Sequence, residues 1–387
     1  MTEDKKAIEH IEEAIKRLKN NDFTLYFFVV DSKNVPNGRM QYIYQIAKVL
    51  SDKNYKVKML YQLENEYTEE ELLELKRKEK PIDENRTFIG VGEWLGEEYM
   101  KIEHLNISKK EWKVGPYDFL FIPEVLSSLM KQTYQYKAPC KRVVILHNFD
   151  HITEFIPFND EWGTYGIRDV ITNTEKQREL ITKVFPYVKA KTIKPFIPNY
   201  FHKPIKPKKL IVNIISKKTE DVNRIMKLFY WKYPMYKFVS FRDLRGYPKE
   251  KFAEYLRESA ISVWIDNDTP FGYSAIEAIK CGNIVVGKIP EHMPEWMTNE
   301  KGLVDNGVWT YDINLIPDIL SRVLGSWMQD KIPQALVENM EKLETEYSFE
   351  EFENSIEKLI KEYVEERVEE ISEVKEVIKN KNKNSHE

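Results

Sequence analysis

The chain has 387 residues, more than one ordinary hydrophobic core accommodates, so we expect two domains. Its composition, 42% hydrophobic and 32% charged, excludes a low-complexity chain, and its net charge of −4 excludes a molecule-wide basic field for nucleic acid. The two cysteines, Cys140 and Cys281, fall in different predicted domains and do not make a disulfide framework. The sequence does not begin like a signal peptide and no apolar run reaches membrane-spanning length, so we expect a cytoplasmic protein.

The first half of the chain alternates between apolar strand segments and amphipathic helices. The predicted helices are residues 5–19, 40–50, 69–80 and 175–184. The predicted strands are residues 25–30, 55–61, 87–91, 118–122, 143–146 and 169–172. Because unbroken apolar runs are typical of strands buried on both faces, this repeat predicts a parallel, doubly wound sheet. The first helix has an isoleucine-rich face and is expected to pack on its own domain; a membrane-lying or partner-binding helix is the alternative.

Four prolines interrupt the chain between residues 194 and 207, where neither a helix nor a central strand can continue, and this segment is the predicted linker. The alternation then restarts with predicted strands 210–215, 236–241, 261–265 and 284–286 and predicted helices 222–230, 249–258, 316–324 and 333–343. Ser348 and Glu351 form a capping-box pattern at the start of a long last helix, whose apolar stripe extends to Ile378. We expect the lysine- and asparagine-rich residues 379–387 to be a disordered tail.

Residues 269–286 carry the most informative motif of the sequence. A Pro-Phe-Gly turn follows an apolar strand and opens a short helix that ends at Gly282. Free backbone N–H groups at such a helix start bind phosphate groups. Ser274 adds a hydroxyl donor, and Glu277, one turn further along the same helical face, has a carboxylate that suits the two hydroxyls of a ribose.

This motif, Pro-Phe-Gly-Tyr-Ser-Ala-Ile-Glu-Ala at residues 270–278 with the Cys-Gly pair that follows, resembles the signature of nucleotide-sugar glycosyltransferases with the GT-B fold, in particular glycosyltransferase family 4. The resemblance implies that Glu277 binds the ribose and that the amides after Gly272 hold the diphosphate. An ordinary strand–turn–helix unit is the alternative. The family usually has a second glutamate eight residues earlier, where this chain has Thr269, and Asp268 is the nearest substitute. The identity of the donor sugar, and whether the protein is active, therefore stay open.

Two places in the first half of the chain resemble the family's N-terminal domain. Gly38 and Arg39 lie after the first strand, in a loop that in the family faces the cleft between the domains; a plain turn and helix start is the alternative. His147 follows a strand at an edge where several family members have a histidine near the reacting sugar; a loop histidine without a role is the alternative. His147 and His151 are four residues apart, but the sequence offers no third metal ligand of suitable spacing.

Basic residues in the second half of the chain are candidates for balancing the charge of the diphosphate. Lys217 and Lys218 follow a predicted strand where the family usually has an arginine and a lysine, although with another spacing. Arg242 lies where the nucleotide base tends to dock in the family. Asp266-Asn267-Asp268 also resembles the Asp-x-Asp metal motif of the other main glycosyltransferase fold. Because metal is generally dispensable in GT-B enzymes, we expect no metal and no cofactor.

The resemblance implies an α/β chain of GT-B architecture, with two Rossmann-like doubly wound domains facing a cleft and a long C-terminal helix. The predicted boundaries are 1–200 for the acceptor-side domain, 201–345 for the nucleotide-sugar domain, 346–378 for a helix that crosses back or extends, and 379–387 for the tail. The predicted catalytic residues are His147, Asp268 and Lys217. The residues predicted to bind the nucleotide sugar are Gly38, Arg39, Lys218, Arg242, Phe271, Gly272, Tyr273, Ser274 and Glu277.

The activity that the resemblance implies is transfer of a sugar from a nucleotide-diphosphate sugar, most simply a UDP-sugar, to a hydroxyl acceptor with retention of configuration. The expected acceptor is a glycan or a lipid-linked sugar. One alternative is a phage-type enzyme that glycosylates a modified DNA base in the host cytoplasm. Others are a nucleotide-sugar-binding protein without catalysis and a GT-B-fold epimerase. A homodimer through the C-terminal helix is a further expectation.

Overall fold

A computed structural model describes residues 3–267 and 269–384. The chain divides into two compact units. The first unit contains the chain up to Thr172, then Arg178–Ile193, and again the residues from Glu353 onward. The second unit consists of Asn173–Gln177 and Lys194–Phe352. The first unit is therefore discontinuous in sequence.

The first unit is built on a seven-stranded parallel sheet. Its strands are β1 (Thr24–Phe28), β2 (Lys56–Tyr61), β3 (Glu103–Asn106), β4 (Phe119–Pro123), β5 (Lys141–Leu146), β6 (Asp169–Thr172) and β7 (Lys189–Thr192). The helices along this part of the chain are α1 (Glu3–Lys19), α2 (Gly38–Asp52), α3 (Glu69–Arg77), α4 (Gly92–Leu95), α5 (Glu97–Met100), α6 (Ser127–Gln135), α7 (Asp150–Phe155) and α8 (Glu175–Val184). The strand order is β3-β2-β1-β4-β5-β6-β7. It reverses between β1 and β4, and such a reversal opens a crevice at the carboxyl ends of the strands.

Residues 87–91, predicted as a strand, form an irregular segment instead. Asp31, in the loop after β1, accepts the backbone N–H groups of Ile89 at 3.1 Å and Gly90 at 2.9 Å. These donors are therefore not available to a strand ladder. Gly90 also has a φ of +73°, outside the range that strands adopt. The sequence does not predict the two edge strands β3 and β7.

The second unit is built on a five-stranded parallel sheet. Its strands are β8 (Lys209–Ser216), β9 (Ser240–Asp243), β10 (Ser259–Ile265), β11 (Ile284–Lys288) and β14 (Val308–Thr310), and a small antiparallel pair is β12 (Thr298–Asn299) and β13 (Gly302–Leu303). The helices are α9 (Thr219–Lys232), α10 (Lys249–Glu258), α11 (Tyr273–Lys280), α12 (Ile316–Met328) and α13 (Gln334–Thr345). The order β14-β11-β10-β8-β9 places β10, which is buried along its whole length, at the centre.

The last helix, α14 (Phe349–Asn384), belongs to the first unit from Glu353 onward. Its Tyr363 is fully buried, with its ring 5.2 Å from Lys141 Nζ and 4.8 Å from Lys191 Nζ. Both lysines also form ion pairs with Glu366. The helix continues through Asn384, whereas the sequence predicted a disordered tail from residue 379; residues 385–387 lie outside the described part.

Both cysteines are buried free thiols. Burial raises the pKa of Cys140 to about 11 and that of Cys281 to about 12. Because the thiolate is the reactive form, neither thiol is set up as a nucleophile at neutral pH. Within residues 3–267 and 269–384, no helix combines the length and the apolar character needed to cross a bilayer.

Candidate functional site

The turn between β10 and α11 is held rigidly by its own contacts. Gly272 has a φ of +75°, a left-handed conformation that favours glycine. A Cβ at this position would lie 3.2 Å from Trp296 Cζ2 and 3.3 Å from Trp264 Cζ2, so the indole rings also require a small residue. Thr269 Oγ1 accepts the Gly272 N–H at 3.0 Å, and the carbonyl of Phe271 accepts Trp296 Nε1–H at 2.5 Å. These contacts fix the start of α11 at the carboxyl end of β10.

The start of α11 has the properties of an anion site. Among the described residues, no side chain caps this helix and none of its first-turn residues is acidic. Its first-turn N–H groups therefore present a partial positive charge, and Ser274 is partly exposed there. The rings of Phe271 and Tyr273 contribute to packing rather than to an anion site. Both are buried, their centroids are 4.6 Å apart, and the Phe271 ring lies 5.0 Å from that of Tyr347. Only the backbone of Phe271 could meet a ligand.

Glu277 is the central charged group of this region. Its side chain is fully buried, and Oε1 lies 2.5 Å from Nζ of Lys249, the first residue of α10. In the described part of the chain, its other oxygen, Oε2, has no hydrogen-bond partner although it is buried. A buried carboxylate oxygen without a partner is costly, and a hydroxyl donor from a ligand would satisfy it. Sequence reasoning predicts Glu277 but misses Lys249, since nothing in the spacing connects the two.

Lys217 and Lys218 lie at the same edge of the second sheet. Ser216, the last residue of β8, pairs with Ile265, the last residue of β10, so the loops after both strands are neighbours. Lys217 Nζ lies 3.1 Å from Oδ1 of Asp266, and both lysine side chains are exposed. The structure therefore brings Lys217 and Lys218 to the loop edge that carries the motif.

One predicted residue, Arg242, is not brought into this group. Arg242, on β9, forms an ion pair at 3.0 Å with Glu258 and lies 4.1 Å over the ring of Tyr255. Glu258 is the last residue of α10 and Lys249 is the first, which separates them by about 13 Å along the helix. Asp268 lies outside the described residues, so its catalytic role and the Asp-x-Asp hypothesis stay predictions.

A second charged cluster lies in the first unit, where the strand order reverses. Asn37 Oδ1 caps α2 by accepting the N–H groups of Arg39 at 3.0 Å and Met40 at 3.2 Å. The Arg39 side chain then forms an ion pair with Glu124, Nε to Oε1 at 3.1 Å. His151 Nδ1 lies 3.0 Å from the same oxygen and 2.6 Å from Arg39 Nη2. The loops after β1, β4 and β5 thus meet at one carboxylate.

These neighbours stabilise the ionised form of the Glu124 carboxylate. Full burial by itself would raise the pKa of Glu124, but the hydrogen bond to His151 and the charges of Arg39 and His147 bring it below the ordinary value. The backbone N–H of Asn148 adds a donor at 3.3 Å. His147, which directly follows β5, is therefore near this cluster, as is Gly38, the first residue of α2. Sequence reasoning misses Glu124, although an acid directly after an apolar strand was a visible signal.

No protein-family model matches this chain, and no curated protein matches its sequence. Solved structures do match. Pneumococcal O-GlcNAc transferase GtfA, solved with UDP and GlcNAc, is 10% identical with a TM-score of 0.59, and the match covers 89% of this chain and 99% of that one. TarM of S. aureus, solved with fondaparinux, α-GlcNAc-glycerol and UDP, is 12% identical with a TM-score of 0.56 over 87% and 99%.

Sucrose-phosphate synthase from Thermosynechococcus elongatus is 13% identical with a TM-score of 0.55, over 88% of this chain and 99% of that one. At these identities the likeness shows the fold alone. The predicted fold class is confirmed: the chain is α/β with the GT-B fold, two parallel sheets and a long C-terminal helix.

Proposed function

We propose that this protein is a glycosyltransferase that transfers a sugar from a nucleotide-diphosphate sugar to a hydroxyl acceptor. The observation that carries the proposal is the buried Glu277 carboxylate, whose Oε2 has no partner among the described residues, one turn into a helix that follows a rigid glycine turn. A ribose offers two adjacent hydroxyl donors to such a carboxylate, and the N–H groups at the start of α11 suit the diphosphate. The GT-B fold supports this assignment, since two of the matching structures were solved with UDP.

The finer assignment follows the resemblance to glycosyltransferase family 4, with a UDP-sugar as donor and retention of configuration. In that scheme the leaving diphosphate deprotonates the acceptor hydroxyl on the same face of the sugar. The protein then acts by positioning and by stabilising charge rather than through a covalent nucleophile. Lys217 and Lys218 are the proposed cations for the diphosphate, and the resemblance assigns Arg39 and His147 to the donor sugar. The proposed acceptor is a glycan or a lipid-linked sugar, with no metal required.

One observation favours a second candidate, a nucleotide-sugar-binding protein without catalysis. Thr269 occupies the position of the usual second glutamate, and its Oγ1 already accepts the Gly272 N–H. The residue expected to contact the donor sugar therefore serves the turn instead. Turnover distinguishes the two candidates, because only an enzyme cleaves the nucleotide sugar and so produces free nucleotide.

The decisive experiment pairs Glu277→Gln with a matched control, Glu344→Gln. Glu344 is another ion-paired glutamate of the second unit, partly rather than fully buried, with its Oε1 2.9 Å from Lys203 Nζ. Incubated with a panel of UDP-, GDP- and ADP-sugars, the wild type should release free nucleotide from its donor. Calorimetry should show that Glu277→Gln binds nucleotide about 10- to 100-fold more weakly than the wild type. Glu344→Gln should bind as the wild type does. Unchanged affinity in Glu277→Gln would refute the assignment, and binding without turnover for every donor and acceptor would favour the inactive binder.

A further inference from the structure

The second unit exposes three large apolar side chains within eight residues of chain, at the end of α9 and just after it. Trp231 is 73% exposed, Met235 65% and Phe238 62%. With Lys227, Pro234 and Lys237 they form a surface that we call the aromatic–lysine patch, and all six residues are exposed. Monomeric proteins rarely expose several large apolar side chains together without a use for them.

A rigid layer of rings supports the patch from below. Phe229 is fully buried, and its ring lies 5.4–5.9 Å from those of Tyr230, Tyr233, Tyr236 and Phe241. The core is therefore complete without Trp231, Met235 and Phe238. Their exposure is a property of the surface and not of a loosely packed interior.

The charged residues of this chain segment have one sign. Residues 227–238 contain three lysines and no acidic residue. Lys227 and Trp231 are four residues apart on α9 and share a face, while Lys237 lines a shallow depression with Trp231 and Pro234. Lys232 is neutralised by Asp318 at 2.8 Å, which leaves Lys227 and Lys237 as the charges of the patch.

The patch is remote from the proposed nucleotide site. Helix α9 starts after the carboxyl end of β8, next to Lys218, and its 14 residues carry the chain about 20 Å to the opposite edge of the sheet. A ligand at the glycine turn and a partner on the patch would therefore not compete.

We propose that the aromatic–lysine patch docks this protein on an anionic membrane surface. Tryptophan and other apolar side chains at headgroup depth, flanked by lysines that attract acidic lipids, are the chemistry of interfacial binding. A second copy of the chain fits less well, because a two-fold contact would place Lys227 and Lys237 against the same lysines. The net charge of −4 does not oppose docking, since salt screens charges beyond about 8–10 Å while the patch lysines lie at the contact.

The test is co-sedimentation of the full chain with vesicles of phosphatidylcholine, alone and mixed with phosphatidylserine. We expect binding to the mixed vesicles that weakens with added salt. Trp231→Ser/Met235→Ser/Phe238→Ser should lower the partition coefficient at least about tenfold. Lys227→Gln and Lys237→Gln should each lower it about fivefold on the mixed vesicles and leave it unchanged on phosphatidylcholine.

The matched control is Tyr136→Ser/Phe158→Ser, which removes two exposed aromatic side chains from the first unit. It should bind vesicles as the wild type does. Circular dichroism and nucleotide affinity should be unchanged in every patch variant, which separates this test from that of the proposed function. Equal loss of binding in the control, or no binding by the wild type, would overturn the proposal. So would a change of oligomeric state in the triple variant without any vesicle binding, because the patch would then contact protein.

Discussion

Among the residues whose burial the structure describes, each unit contains one fully buried glutamate at the carboxyl edge of its sheet, Glu124 in the first and Glu277 in the second. Both have a basic partner on Oε1, and for both Oε2 has no partner within the described residues. Glu124 is also near His151 and accepts the N–H of Asn148, whereas Lys249 is the one partner that Glu277 has within the described residues.

The difference separates a structural role from a binding role. Glu124 follows β4, and its carboxylate contacts Arg39 after β1 and Asn148 and His151 after β5. These contacts hold three segments of the chain together. Glu277 has fewer hydrogen-bond donors on its carboxylate and lies next to a helix start with partial positive charge. We therefore expect Glu124→Gln to act mainly on stability and Glu277→Gln mainly on nucleotide binding, and we expect loss of the basic partner to cost more stability at Glu277, where fewer donors remain.

The largest effect should follow removal of a basic partner. Lys249→Met leaves the carboxylate of Glu277 buried without its cation, which should cost about 3–5 kcal/mol of unfolding free energy. Arg39→Met should cost less, about 1–3 kcal/mol, because His151 and the Asn148 N–H remain on Glu124. Urea titration monitored by tryptophan fluorescence measures both. Lys249→Met/Glu277→Gln should recover most of the loss; equal costs for the two single variants would remove the proposed contrast.

Lowering the pH should change the stability of the wild type relative to that of Glu124→Gln. The pKa of Glu124 is lower in the folded protein than its ordinary value of 4.5, so its charge stabilises the fold above that pH, and this contribution is lost as pH falls through the folded pKa. The stability difference between the wild type and Glu124→Gln should be constant above about pH 5 and shrink below it. Urea midpoints at several pH values give the curve. A difference that grows on acidification would contradict the assignment.

The turn before α11 should respond more weakly. Gly272→Ala forces an alanine into φ +75° with its Cβ 3.2 Å from Trp296, and we expect a loss of about 1–2 kcal/mol. Gly246→Ala is the matched control, since Gly246 has a φ of +72° but a Cβ there would meet no atom within 4 Å. The loss of unfolding free energy in Gly246→Ala should therefore come from the backbone conformation alone. Nucleotide affinity should fall only in Gly272→Ala, because only that substitution moves the start of α11.

The smallest expected effect is that of a chelator. If Lys217, Lys218 and the α11 N–H groups supply the charge for the diphosphate, EDTA should leave nucleotide release unchanged within about twofold. Re-addition of Mg²⁺ or Mn²⁺ is the control. Loss of activity with EDTA and recovery with Mn²⁺ would instead support the Asp266–Asp268 metal hypothesis.

The sequence predicts the elements that local pattern determines. Helices α8 and α10 begin and end as predicted, because their apolar spacing and flanking turns mark both ends. The edge strands β3 and β7 are polar and short, so no apolar run indicates them. Residues 87–91 have the composition of a strand, but a carboxylate nearly sixty residues earlier, that of Asp31, takes their N–H groups.

The same distinction applies to the candidate sites. Gly272 and Glu277 are predicted because the turn and helix are continuous in sequence. Lys249 is 28 residues from Glu277, and Arg39 is 85 residues from Glu124, so these partners meet only through the sheet topology. Chemistry within one helical turn is visible in a single sequence, whereas ion pairs across strands are not.

Helix α14 has a consequence for the order of folding during synthesis. The last strand of the first sheet ends at Thr192, but the helix that pairs with Lys141 and Lys191 enters that unit only at Glu353. Ile193 and Glu353 are 160 residues apart, which at about 5–20 residues per second leaves roughly 8–32 s on the ribosome. During that interval Lys141 and Lys191 lack the glutamates and the Tyr363 ring of α14. The unit that is synthesised first is therefore the one that is completed last.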